Sequence, residues 1–132
     1  MFRDTVTSFH YDNGTWYPFV LSEAELQKKH GSHVKKEGTV AGDSCKLFVH
    51  FEEGYLVNGV QYLPPKQWKP GKLTFLDGKD FFCMGDFGTD PVKDENYSEG
   101  FAEYMFKTYD DVYRIQQVDT YHVIPHFEIL GE

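Results

Sequence analysis

Six histidines are the residues of this chain most able to do chemistry, and their spacing decides which kind. His30 and His33 stand three apart, and His122 and His126 stand four apart near the C-terminus. A tetrahedral metal site needs ligands that converge on one point. The second pair falls on a run that alternates like a strand, where four residues span about 13 Å, too far for one ion. The first pair lies in a glycine- and lysine-rich stretch with no partner carboxylate in local order. Neither a metal nor a cofactor is expected. Asp110 and Asp111 form a paired carboxylate, but they sit at a break between helix and strand, where turn formation explains them. Trp16, Trp68 and the tyrosines could stack on nucleobases. In a chain this aromatic, core and interface packing is the plainer role. GxSxG, Walker and GxGxxG patterns are absent, and Gly85-Asp86-Phe87-Gly88 lies in a turn-rich acidic loop. With no nucleophile or acid–base pair to name, no enzyme is expected.

The elements that must hold these residues read mainly as strands. Val112–Val118 and Tyr121–Leu130 are alternating runs on either side of a polar break at Asp119-Thr120, which predicts a closing hairpin. In its second run, Val123, Pro125, Phe127 and Ile129 share one face. Asn13-Gly14 joins two strand-like runs, Phe2–Tyr11 and Thr15–Leu21, and Asn58-Gly59 predicts a second, smaller hairpin. Cys45–Phe51, Lys72–Leu76 and Asp80–Met84 complete the strand list. Ser22-Glu23-Ala24-Glu25 has the spacing of a capping box, yet no apolar stripe follows it. Residues 27–44 read instead as a long loop, of the kind that is functional or disordered. One short helix is predicted over about 98–109, where Phe101, Tyr104, Met105 and Tyr109 recur at helical spacing and Asn96 or Ser98 can cap. The residues therefore predict a small antiparallel β-barrel or sandwich with one helix.

Composition sets the outer limits. At 132 residues the chain is one domain, and 40% apolar with 17% aromatic residues is too rich for disorder. No apolar run of about 18 residues exists to span a membrane, and no signal region follows Met1. Cys45 and Cys83 lack CxxC spacing, which predicts a reduced, intracellular protein. A net charge of −8 argues against a general nucleic-acid binder. The charge is nevertheless uneven. Asp77–Asp111 holds ten acidic residues against three lysines, whereas Lys28–Lys46 holds five lysines against Glu37 and Asp43. Opposite faces of this kind suit side-by-side assembly of copies, though a solvated acidic face accounts for them equally well.

Taken in order, several segments resemble the small head-completion proteins of long-tailed phages, also described as head-closure, minor capsid or head–tail connector proteins. They are Asp4–Phe9 with Trp16–Leu21, Gly38–Asp43 with Lys46–Val49, and Tyr62–Trp68. Asp80–Phe82, Gly85–Phe87, Tyr109–Ile115 and Pro125–Ile129 follow, so the resemblance covers nearly the whole chain. It implies a single head-closure-like barrel domain over residues 1–132. It also implies a non-enzymatic virion protein of the neck, made in the host cytoplasm and assembled as a ring, a dodecamer by analogy. The neighbours implied are a portal-side adaptor, a tail terminator or tail tube protein, and packaged double-stranded DNA in the channel. A long internal loop plugs the channel in some such proteins, and the matching stretch here carries Lys28, Lys29, His30, His33, Lys35 and Lys36. Those side chains are the expected DNA-channel contacts. Two alternatives stay open: a tail-terminator-like or other small phage tail protein, and a small barrel that binds a ligand in its mouth through Trp16, Trp68 and Arg114.

Overall fold

The computed structural model describes residues 4–29 and 44–132. In chain order these form β1 (Asp4–Asp12), β2 (Thr15–Lys29), β3 (Ser44–His50), β4 (Leu56–Val57) and β5 (Val60–Gln61). There follow β6 (Phe81–Met84), β7 (Val92–Lys93), α1 (Phe101–Thr108), β8 (Val112–Tyr121) and β9 (His126–Gly131). The long strands run β1-β6-β8-β9-β3-β2, and β2 pairs back to β1, so six antiparallel strands close into a barrel. The short β7 pairs with β2 at Trp16 outside that ring. The expectation of a mainly β chain with one helix holds, and the choice falls on barrel.

Closure depends on β2, which pairs with β1 along its first half and with β3 along its second. Between the halves the register shifts, Val6 facing Leu21 while Asp4 faces Ala24, and Glu23 takes φ 60°. This is a bulge, which bends a strand and raises its twist. The Ser22–Glu25 capping box therefore lies in a strand. Residues 27–29 are not loop either: Gln27, Lys28 and Lys29 pair with Lys46, Cys45 and Ser44. Ladder bonds to β3 replace the missing apolar stripe as the reason for their order. Both Asn-Gly turns form as expected, with φ of 47° and 85° at Asn13 and Gly14 and 49° and 83° at Asn58 and Gly59.

Two cores lie on opposite sides of one wall. The inner one fills the barrel with Val6, Leu21, Leu47, Phe82, Ile115, Phe127 and Ile129 among others. The outer one packs Phe9, Trp16, Phe81, Cys83 and Val112 under Phe101 and Met105 of α1. Strand alternation makes this possible, since Phe82 points into the barrel while Phe81 and Cys83 point out at the helix. The helix is shorter than the 98–109 expectation, and neither Asn96 nor Ser98 caps it. Asp94 does that work: its Oδ1 accepts from the Phe101 N–H at 2.8 Å and from the Trp16 Nε1–H at 2.9 Å. These two bonds, against the opposing pull of burial, hold the Asp94 carboxyl below its ordinary pKa. Asp94→Ala is therefore expected to cost about 1–2 kcal/mol, the range of a lost cap. Because the folded pKa is depressed, the contribution is present above the ordinary carboxylate value and fades as pH falls through the depressed one. Urea titrations of both chains from neutral pH into the acid range should show the gap between them narrow as the Asp94 carboxyl protonates.

The closing hairpin turns later than its polar residues suggest. Asp119 and Thr120 stay in β8, facing Glu128 and Phe127, and the turn occupies residues 122–125. Pro125 explains the shift, because it has no N–H to give a ladder and ends the regular pairing. Phe127 and Ile129 do face the core, but Val123 is 98% exposed and Ile124 71% exposed. Lys72–Leu76 is not a strand, although Leu73 bridges to Tyr62 and Leu73, Thr74 and Phe75 are buried. The segment 62–80 instead folds over one mouth of the barrel, sending Leu73 and Phe75 into the inner core.

Candidate functional site

Beside that covering segment lies a cleft of about 460 Å³ in the barrel mouth. Its floor comes from β1, where alternation turns Val6, Ser8 and His10 toward the interior. Across the β1–β2 ladder, Ser8 faces Phe19 and His10 faces Tyr17. The opposite wall is Trp68 and the stretch Lys72–Thr74. Trp68 is pinned by its own Nε1–H, which donates to the Lys72 carbonyl at 2.7 Å. Its ring stands 4.5 Å from that of His10 and 5.0 Å from that of Tyr17, centre to centre.

Behind His10 sits Asp80, which is fully buried. Its Oδ2 accepts from His10 Nδ1–H at 2.7 Å and from the Leu76 N–H at 2.9 Å, while Oδ1 accepts from the Tyr11 N–H at 3.0 Å. A buried carboxylate needs partners of this kind. The bond at Nδ1 fixes the tautomer and leaves Nε2 as the imidazole's working nitrogen. Ser8 Oγ is buried in the same cleft without a hydrogen bond among the described residues. Thr74 lies close enough to the Tyr62 phenol to favour its ionised form, but burial dominates and raises the Tyr62 pKa. Among the described residues Ser8 Oγ makes no hydrogen bond to His10, the contact that a nucleophile–base pair would show. The arrangement is suited to recognising a polar edge beside an aromatic face.

A family model matches the chain over residues 1–132. The chain belongs to DUF6751, a family of unknown function. No curated protein and no solved structure matches this DUF6751 chain.

The residues singled out in the sequence fall in different places. Lys28 lies near the end of β2, its Nζ 3.0 Å from Asp111 Oδ1, so it is already engaged. Lys29 closes β2 opposite Ser44. His30, His33, Lys35 and Lys36 lie outside the described residues. Of the three aromatic and cationic contacts named for a barrel ligand, only Trp68 reaches the cleft. Trp16 is buried in the outer core on Asp94, and the Arg114 guanidinium stands 5.0 Å over the Phe106 ring. His122 and His126 are separated by a turn rather than strung along one strand. His126 bonds the Ile124 carbonyl at 2.6 Å and Glu128 at 2.9 Å. Burial alone would lower its pKa, but these two acceptors outweigh it and raise the value. Among the described residues no three potential metal ligands cluster.

His10 and Asp80 were missed. Their link spans 70 residues of sequence, and the one local hint was an acid directly before the apolar Phe81-Phe82. Cys45 and Cys83 are free and buried, and burial pushes both thiols up to about 12. Neither is expected to react with a thiol-specific disulfide reagent at pH 8 in the folded chain. Both should react on addition of denaturant, because the thiolate is the attacking form.

Proposed function

We propose that the protein is a structural component of a phage neck, a head-closure subunit that assembles as a ring between a portal-side adaptor and the tail. The observation that carries this reading is the bare apolar tip of the β8–β9 hairpin, Val123 and Ile124, on an otherwise well-packed barrel. Adjacent apolar side chains left in water at a turn mark a contact surface more readily than scattered ones. Closure of the barrel removes most free strand edges, so copies would meet through tips and loops rather than by adding strands. The register of Lys29 with Ser44 supports a further part of the reading. In the ring, the end of the barrel where Lys29 pairs with Ser44 would face the DNA channel, and the expected channel contacts His30, His33, Lys35 and Lys36 fall between those two residues in sequence. A tail-terminator position would use the same surfaces.

The test is a Val123→Asp, Ile124→Asp double variant of the full chain. Its unfolding midpoint should match the parent, since both side chains are already hydrated. Native mass spectrometry and electron microscopy, with the neck partners encoded beside portal and capsid genes, should show the parent in rings and the variant as a monomer. Rings formed equally by both chains, or a gene neighbourhood without portal and capsid genes, would sink the reading.

A further inference from the structure

The barrel-mouth cleft has the makings of a ligand site that assembly does not use. We propose that it binds a planar heteroaromatic ligand of nucleoside size, neutral or anionic, with its ring against Trp68 and Tyr17 and its polar edge on Ser8 and His10. Four observations lead there. The volume of about 460 Å³ falls within the usual range for small-molecule pockets. The wall is aromatic and held rigid, since Trp68 is tied to Lys72 and both neighbouring rings pack against it. Rigid aromatic faces take flat rings at little entropic cost.

The third observation is the Ser8 hydroxyl, 2% exposed and without a partner among the described residues. A buried hydroxyl left unbonded costs stability, and such a group in a native fold calls for an explanation. A ligand edge that donates to or accepts from it supplies one. Two residues along β1, on the same face, His10 offers Nε2 while Asp80 fixes the other ring nitrogen. Together they present two hydrogen-bonding groups side by side, as the edge of a nucleobase would require. The fourth observation is charge: in a chain of net charge −8, the cleft lining includes Lys72 and no Asp or Glu. That disfavours a cationic ligand.

The four ribonucleoside 5′-monophosphates serve as probes, added to the full ¹⁵N-labelled chain at millimolar concentration. Binding of at least one should shift the Trp68 indole resonance saturably while leaving that of Trp16 in place. Ser8→Ala should weaken this binding by about tenfold, one good hydrogen bond. The same variant should unfold at the same denaturant concentration or a higher one, because it deletes an unbonded polar atom from the interior. A Ser8→Ala chain that binds as tightly as the parent overturns the proposal, as does the absence of any shift with all four probes. So does a Trp68 shift that tracks protein concentration and disappears in the Val123→Asp, Ile124→Asp chain. In that case a second copy's hairpin tip occupies the cleft. Failure to bind nucleotides leaves ring assembly untouched, and failure to form rings leaves the cleft untouched.

Discussion

An Asp80→Ala chain is expected to lose on the order of 3–5 kcal/mol of stability, the cost of breaking a buried, fully bonded carboxylate network. The reason is the number of donors that Asp80 serves. One side chain satisfies His10 Nδ1–H and the backbone N–H groups of Tyr11 and Leu76. Removing it leaves all three without their acceptor in a largely buried region, and each stranded donor carries its own desolvation penalty. It also unties β1 from the segment that covers the barrel mouth. Asp80→Asn should cost less but remain clearly destabilising, because its amide NH₂ must face one of the same donors. His10→Phe should cost least of the three, since Asp80 then keeps both backbone bonds. Urea unfolding followed by circular dichroism ranks the series, and the alanine chain should melt roughly 10–20 °C below the parent. An order with His10→Phe worst would show that the imidazole, and not the carboxylate, anchors the network.

Gly131→Ala is the second large effect, and its cause is steric. A Cβ on Gly131 would stand 2.7 Å from Phe82 Cζ, 2.9 Å from Tyr113 Cβ and 3.0 Å from Cys45 Sγ. Phe82 is fully buried, and Tyr113 Cβ is fixed to its backbone, so neither can swing aside. The end of β9 must move instead, which strains its pairing with Cys45 and Ile115. Overpacking of this kind costs about 1–3 kcal/mol, and three simultaneous contacts place this site at the upper end. Adding Phe82→Leu removes the closest atom. The double variant should therefore be less destabilised than the sum of the two single changes, a coupling that a thermodynamic cycle measures directly. Strict additivity would mean that β9 shifts freely and that the glycine is there by chance.

What could be read in the sequence was whatever local chemistry decides. Both Asn-Gly turns demand positive φ at consecutive positions, and that requirement is visible in two letters. The apolar alternation of Cys45–Phe51 likewise has one sensible meaning. The misreadings arose where a local signal competed with a distant one. Ser22–Glu25 carries a good capping box, but a bulge and the β3 ladder keep it extended. Asp119 and Thr120 look like a turn, yet their partners across the hairpin hold them in β8 and Pro125 sets the bend. The candidate site was the least legible part, because its two central residues meet across 70 positions and neither belongs to a motif. Trp68 could be named from its type, but nothing in its neighbourhood distinguished it from Trp16.

The wall shared by the two cores has one more consequence. Val6 and Thr7 of β1 and Phe81–Cys83 of β6 are buried between the two cores and line no cleft, so solvent reaches their amides from neither side. Deuterium should enter them only when the whole domain opens, making them the slowest-exchanging part of the chain. The turn at 122–125 should exchange at once. The exposed hairpin tip and the buried wall thus stand at opposite ends of the chain's local stability, so a change confined to the tip should leave exchange in the wall unaltered.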